Sequence, residues 1–289
     1  MKRIFIALAA LPMIISSCQS SSDEPTPSGA KNIKILATVQ TPVSRAGLTS
    51  ETLTDFGLIV NNTTAPTFSF NTKITGSAGN WTAADGTPLL WDNELNSVEA
   101  LAFAPWRDGV TGTETALDVS VSADQSTEAA VAQSDFLLMP KTTVDPKTTG
   151  EVLAVTLGHK MAKLVIRVDA AATEMEIRGL KTGATIDLTT AAAPVTVNGE
   201  AAAITPYAAG NNTFEAIVVP QQLDARFSIG FKVGENSYHW DYTGNAALAM
   251  GYQYTVNLSL AGGHAVQLAG NISCTDWNTG ATGNLTFSE

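Results

Sequence analysis

The strongest constraint on the fold is an alternation of apolar and polar residues with a period of two, which recurs from residue 31 onward. Successive side chains of a β-strand point to opposite faces, so this period is typical of strands with one buried face. The most regular run is 252–260, where Tyr254, Val256 and Leu258 alternate with polar neighbours. Only residues 122–133 form a modest helical window. The pattern predicts an all-β fold.

Turn residues punctuate these strands. An aromatic-rich pair of strands, 227–233 and 238–242, is joined by a short glycine-containing turn and predicts a hairpin. A second hairpin is expected where Trp81 and Trp91 flank Asp85-Gly86, since this dipeptide readily adopts the positive φ of a tight turn. Many short strands at spacings of roughly 8 to 12 residues favour β-sandwiches over other all-β architectures.

The length of 289 residues fits two sandwich domains, because single domains commonly contain roughly 100 to 150 residues. One predicted strand ends at Gly158-His159-Lys160 and another begins directly after it. We therefore expect an N-terminal β-sandwich domain over residues 32–159 and a C-terminal one over residues 160–289.

The N-terminus has the three regions of a secretion signal. Lys2 and Arg3 are followed by an apolar stretch, 4–15, that is too short to span a bilayer, and then by small residues before Cys18. The order Ile-Ser-Ser-Cys resembles a lipobox, which implies a signal peptide of residues 1–17 and acylation of the Cys18 thiol. The alternative is an ordinary secretory signal that happens to end near a cysteine.

Residues 18–31 are rich in Ser, Pro, Asp and Glu, so they cannot bury enough surface to offset their ordering entropy. They are interpreted as a flexible tether behind the lipid. Gln19 lacks the acidic character of an inner-membrane retention signal, and residues 20–24 resemble the Ser-plus-acidic export tag of surface lipoproteins. These features predict an outer-membrane protein exposed on the cell surface.

Composition excludes some classes of partner and site. A formal net charge of −11 would repel a phosphate backbone, so nucleic acid is not expected as a partner. With only two cysteines and Cys18 carrying lipid, no disulfide framework is expected, and Cys274 is interpreted as a small buried hydrophobe.

Residues suited to catalysis are sparse. None of the three histidines lies in a zinc-binding arrangement, and the sequence contains no nucleophile elbow, P-loop or dinucleotide motif. His159 is interpreted as a packed histidine between domains, and Asp55, Asp135 and Asp276 as caps of turns or strand ends. We expect no enzyme activity, no metal and no cofactor.

Six segments lie in order over nearly the whole chain, namely Val43-Ser44-Arg45-Ala46 before Phe56-Gly57-Leu58, Ser134–Leu138, Leu157–Leu164, Val218–Gln221, Met250–Val256 and Asp276-Trp277. Together, in this order, they resemble the fimbrillin superfamily. The resemblance implies two tandem transthyretin-like β-sandwich domains and a lipoprotein precursor of a surface fimbria. It further implies that polymerising members are cut after an arginine that follows their first strand, and that a neighbouring subunit supplies a replacement strand.

Carried onto this chain, the resemblance places the cut between Arg45 and Ala46, in a proline-bounded loop. An ordinary loop arginine is the alternative. The displaced first strand would contribute four alternating side chains to its groove, namely Ile33, Ile35, Ala37 and Val39. The candidate donor strand contains Leu285 and Phe287; a donor that begins earlier, near residues 266–268, is also open.

The implied partners are other fimbrial subunits, in a homo- or hetero-polymer, together with the outer membrane and a ligand on a host or bacterial surface. The rival hypothesis is a surface glycan-binding lipoprotein with an aromatic platform. Most of its candidate aromatics occupy alternating strand positions and are expected to pack inward, with Trp106 expected on a loop. The candidates are Trp81, Trp91, Trp106, Trp240 and Tyr238.

Overall fold

The structure, a computed structural model, describes residues 29–40, 47–77, 79–262 and 265–284. Its regular secondary structure consists mainly of β-strands, which confirms the prediction of an all-β fold. No helix within these ranges is long and apolar enough to cross a membrane.

Most of the strands are short, and within the described ranges they are interrupted by two small α-helices and by a 3-10 helix at Pro66–Phe68. Those of the first half are β1 (Lys31–Asn32), β2 (Lys34–Val39), β3 (Asp55–Asn61), β4 (Phe70–Ser77), β5 (Asn80–Ala83), β6 (Leu90–Trp91), β7 (Val98–Ala104), β8 (Ala116–Ser120), β9 (Leu137–Val144) and β10 (Val152–His159). The helices are α1 (Glu128–Ser134) and α2 (Pro146–Thr149). Those of the second half are β11 (Ala162–Val168), β12 (Ala172–Asp187), β13 (Val195–Ile204), β14 (Tyr207–Gly210), β15 (Thr213–Val218), β16 (Ser228–Val233), β17 (Asn236–Asp241), β18 (Tyr252–Ala261), β19 (Ala265–Leu268), β20 (Ser273–Asp276) and β21 (Thr282–Asn284).

These strands form three main sheets. The first sheet has the order β2-β10-β9-β7-β3-β4-β5, and a small ribbon pairs β1 with β6. The second sheet has the order β14-β15-β11-β18-β20-β21, with β19 also on β18. The third sheet has the order β13-β12-β16-β17, with β8 also on β12. Most pairs are antiparallel, but β2 runs parallel to β10 and β11 runs parallel to β18.

The core divides into two clusters that do not follow chain order strictly. The first core cluster lies wholly within residues 33–157. The second core cluster joins residues of the second half to several side chains from the first half, including Val119 of β8 and Val131 of α1. β8 pairs with β12 from Ala116↔Asp187 to Ser120↔Gly183, which places part of the first half in the third sheet. The domain boundary near His159 stays a prediction.

The regular alternation in the sequence matches the observed strand faces. In β18 the side chains of Tyr254, Val256 and Leu258 are all buried. The predicted aromatic hairpin is confirmed, since β16 and β17 pair with Phe231 opposite Tyr238 across a two-residue connection.

The second predicted hairpin is wrong. Gly86 does adopt a positive φ of 78°, and its N–H bonds to the carbonyl of Ala83, so the chain turns there. However, β5 pairs with β4 while β6 pairs with β1. Trp81 and Trp91 are both buried in the first core cluster, so burial rather than the turn selects their neighbours.

Truncation of Leu258 to Ala should lower the free energy of unfolding by about 2 to 5 kcal/mol, because the cavity left in a packed core relaxes only partly. Leu258 is 1% exposed, whereas Leu36 on β2 is 50% exposed. Leu36→Ala is therefore the matched control and should change the free energy by less than about 0.5 kcal/mol. Chemical denaturation followed by tryptophan fluorescence measures both. Equal losses of free energy in the two variants would mean that Leu258 of β18 is not part of the packed core.

Candidate functional site

The first strand lies at one edge of the first sheet. β2 pairs in parallel with β10, from Lys34↔Val152 to Val39↔Leu157. The ladder continues at both ends, where Lys34 N donates to Glu151 O at 2.7 Å and Gln40 N donates to Leu157 O at 2.9 Å. In the main hydrogen-bonded sheet, β2 has β10 as its neighbour.

The four predicted groove-filling side chains share one face of this segment. Ile33, Ile35 and Val39 are buried, and Ala37 is half-buried. The opposite face carries solvent-exposed residues, among them Leu36. This alternation determines the register of the strand, because a slip by one residue would turn these four side chains outward.

The segment is bent and bonds two separate strands. Ahead of β2, β1 pairs antiparallel with β6, and Ile33 N donates to Leu89 O at 2.8 Å. Residues 31–40 thus lie along β6 at one end and along β10 at the other. Beside them in the same sheet, Leu153, Val155 and Leu157 of β10 are fully buried. Loss of this segment would uncover apolar side chains and unpaired backbone groups together.

Several predicted site residues lie outside the described residues. They are Cys18, Arg45, Ala46, Leu285 and Phe287. Arg45 and Ala46 fall between two described positions, Gln40 at the end of the β2 ladder and Gly47. Leu285 follows directly on β21, which pairs with β20 through Ser273↔Asn284.

A buried polar cluster contacts Leu48, which follows the first strand in the sequence. One carboxylate oxygen of Asp135 is 2.9 Å from His159 Nδ1, and both side chains are fully buried. The other oxygen accepts a 2.8 Å hydrogen bond from Leu48 N. Because a carboxylate only accepts, the contact places a proton on His159 Nδ1. Asp135 therefore connects the chain after the first strand to β10, which is more than the turn-capping role predicted.

Trp277, from the C-terminal part of the chain, packs against this cluster. Its ring stacks on the His159 ring, with centroids 3.7 Å apart and planes 10° apart. The backbone N–H of Trp277 donates to Gly251 O at 2.6 Å. The side-chain oxygen of the next residue, Asn278, accepts a hydrogen bond from His159 N. His159 is therefore packed and hydrogen-bonded, while its predicted position between two domains stays a prediction.

A buried ion pair lies beside the same tryptophan. Lys163 Nζ is 2.7 Å from Glu215 Oε2 and 5.8 Å from the Trp277 ring centroid. Desolvation lowers the pKa of Lys163, although the negative charges of Glu215 and Asp135 oppose that shift. Burial therefore outweighs the attraction, and the ammonium depends on its partners to stay charged.

The structure brings together segments that sequence reasoning kept apart. Asp135, His159, Gly251 and Trp277 each come from a different one of the family-like segments, and Gly47 directly follows another. Sequence analysis assigned the first two residues separately, as a cap and a packed histidine. The clue was that Asp135 and His159, which are costly to bury alone, each lie next to an apolar run.

The aromatic candidates for glycan binding are distributed differently. Trp81 and Trp91 are buried. Trp106 follows β7 on a loop, as predicted, and stacks on Phe103 at 5.8 Å. Trp240 and Tyr238 of β17 pack against the second core cluster and are half-buried. This distribution gives a glycan platform no specific support.

Candidate catalytic or metal-binding groups are equally dispersed. Within the described ranges, no group of three or more His, Cys, Asp or Glu side chains is placed to hold a metal ion. His239 is exposed on β17, where its ring is 3.4 Å from Asp241, and Cys274 is buried in the second core cluster. Asp276 caps a turn by accepting hydrogen bonds from Asn278 N and Thr279 N.

Comparison with known proteins gives consistent matches along the chain. A family model described as "Fimbrillin-like" matches residues 41–277. The chain is 27% identical over 237 residues to a "Putative fimbrium subunit Fim1C" of Bacteroides uniformis, an alignment that covers 75% of this chain and 74% of that relative.

Solved structures share the fold. A "putative cell adhesion protein" from Bacteroides uniformis superposes with a TM-score of 0.66 at 21% identity, covering 87% of this chain and 99% of the other. One described in the same words, from Bacteroides ovatus, gives a TM-score of 0.65 at 18% identity, covering 86% and 98%. At these identities the likeness establishes the architecture.

Proposed function

Because the chain belongs to the fimbrillin-like family, which confirms the resemblance seen in its sequence, we propose that it is a structural or tip subunit of a bacterial adhesive fimbria. It is exported as a lipoprotein precursor, held on the outer membrane through Cys18, and assembles after a cut between Arg45 and Ala46. The observation that supports this most strongly is the placement of the first strand. β2 is an edge strand with four inward-facing side chains, and Arg45 follows it closely.

Strand exchange suits this geometry. After the cut, segment 31–40 leaves an apolar groove with open backbone edges on β6 and β10, both unfavourable in water. A strand from a neighbouring subunit would restore the main-chain hydrogen bonds, and its alternate side chains would replace those of Ile33, Ile35, Ala37 and Val39. The incoming strand would run parallel to β10, as β2 does.

The described C-terminal region favours a donor after Trp277 over one that starts near residue 266. An earlier donor would have to remove Ile272, Cys274 and Trp277 from the second core cluster, and all three are buried. Nine residues, 31–39, occupy the acceptor groove and span about 30 Å. Residues 278–289 span about 40 Å when extended, so a donor that fills the groove would include β21 and would release it from β20. Leu285 and Phe287 therefore remain the proposed donor side chains.

Mass spectrometry of the mature protein, isolated from its own cells, tests the proposal. A polymerised form should begin at Ala46, and the precursor should begin at an acylated Cys18. A mature chain that retains residues 31–45 in isolated fimbriae would contradict assembly by strand removal.

Replacement of Cys18 with Ser should release the precursor from the outer membrane or stall its processing. A single acyl chain binds a membrane marginally, whereas two or more hold firmly, so loss of the thiol removes the whole anchor. Membrane fractionation with metabolic lipid labelling measures this. Ser17→Ala, beside the thiol, is the control and should keep both label and retention. Unchanged labelling of Cys18→Ser would exclude the lipobox.

A further inference from the structure

We infer that Asp135, His159 and Trp277 form a retention site that holds Gly47 and Leu48, and with them the rest of the chain, when the first strand leaves. The direction of release rests on the proposed cut after Arg45, but the contacts themselves exist in the uncut chain. The remaining protein must stay folded around an open groove until a neighbour fills it. A fixed point directly behind the cut meets that need.

The polar half of the site is the Asp135 carboxylate. Its two oxygens accept from Leu48 N at 2.8 Å and from His159 Nδ1 at 2.9 Å, with both side chains fully buried. Hydrogen bonds to a buried carboxylate are stronger than neutral ones. If Leu48 moved away, one oxygen of the buried Asp135 carboxylate would lose its hydrogen-bond donor and have no water to replace it, which is unfavourable. The Leu48 side chain is itself buried in the first core cluster.

The steric half of the site is a space that only glycine fits. Gly47 has a φ of 103°, and a Cβ at this position would lie 2.8 Å from Trp277 Cζ2 and 2.9 Å from Asp135 Oδ2. Neither neighbour can move aside easily, because Trp277 is stacked on His159 and Asp135 is held by two hydrogen bonds. Gly109 offers a comparison, since its φ is also positive, at 82°, but a Cβ there would meet nothing within 4 Å.

The retention site is separate from the bonds that hold the first strand. β2 is held along β10, whereas Gly47 and Leu48 contact Asp135 and Trp277. Two features join these regions: Ser50 Oγ accepts from Val39 N and donates to Val39 O, and Leu48 shares the first core cluster with side chains of the first strand. Release of the first strand would break its pairing with β6 and β10 and the Ser50 bonds, while the hydrogen bond from Leu48 N to Asp135 involves no residue of that strand.

Hydrogen exchange read by mass spectrometry tests this on the full-length precursor, before and after treatment with an arginine-specific protease. Peptides covering Leu48 report protection, and native mass spectrometry identifies molecules that have lost the residues up to Arg45. In the wild type, the Leu48 amide should exchange at least tenfold more slowly than an unprotected amide in both states. Gly47→Ala should exchange at least tenfold faster there than Gly109→Ala.

The variant Asp135→Asn keeps the shape of the side chain and removes its charge, so it tests the site if Gly47→Ala does not fold. It should raise the exchange rate at Leu48 several-fold. Unprotected exchange at Leu48 in wild-type protein that has lost its first strand would overturn the inference, as would equal rates in Gly47→Ala and Gly109→Ala. Failure of the protease to cut at Arg45 counts against the proposed function only, because the comparison in uncut protein still decides the retention site.

Discussion

Replacement of Glu215 with Leu is expected to lower the free energy of unfolding by about 3 to 5 kcal/mol, because it removes the carboxylate that is ion-paired with a buried ammonium. Lys163 is fully buried on β11, and its Nζ lies 2.7 Å from Glu215 Oε2. Desolvation already lowers the pKa of Lys163 against the pull of Glu215 and Asp135, and the substitution removes the carboxylate that lies nearest to the ammonium. Thermal and urea denaturation measure the loss.

The double variant Lys163→Met with Glu215→Leu is the control. Removal of both charges leaves an apolar pair of similar volume, and such replacements are often neutral or stabilising. The double variant should therefore recover most of the stability that the single variant loses. If both variants were equally unstable, packing at these positions would matter and the buried charge would not.

Local alternation made much of the second half predictable. In β18 the apolar face is continuous and its polar partners are unbroken, so sequence alone assigned the buried side chains. The hairpin of β16 and β17 was equally clear, since a short turn leaves adjacent strands few other partners. These elements are determined by neighbours within a few residues.

Long-range pairing could not be derived in the same way. β8 has one buried residue among five and no hairpin partner, yet it pairs with β12 more than sixty residues later. The turn at Gly86 reverses the chain, but two tryptophans that flank it pack on different strands. In both places the partner is selected by where the core has space, which a period-two pattern does not encode.

The Asp135–His159–Trp277 cluster was invisible for a related reason. Each residue has an ordinary explanation alone, as a cap, a packed histidine or a core aromatic. Only the fold places Asp135 and His159 within 2.9 Å of each other and stacks Trp277 on His159. The inward face of the first strand was more predictable, because it depends on alternation between neighbouring residues.

Arg45→Ala precursor is expected to lose assembly completely. If the first strand must be cut away before a neighbour can bind, a precursor that cannot be cut keeps its groove filled. Treatment with an arginine-specific protease, followed by electrophoresis in detergent without boiling, should give ladders for the wild type. Arg226→Ala is the matched control, since Arg226 is exposed and lies at the start of the third-sheet hairpin, far along the chain from β2. Its ladder should match that of the wild type.

The donor strand needs a separate variant, because deletion of residues 278–289 also removes Asn278, which accepts a hydrogen bond from His159 N. A charged pair, Leu285→Asp with Phe287→Asp, leaves Asn278 and β21 unchanged while placing carboxylates where apolar side chains must enter the groove. This variant should be cut normally at Arg45 yet form no ladder with itself. Mixed with wild-type subunits, it should still accept their strands and terminate chains, so ladders shorten as its fraction rises. Normal ladders from the variant alone would mean that the donor strand lies elsewhere in the chain. If both the wild type and the variant are cut but neither forms ladders, the protein is a subunit that accepts a strand and donates none.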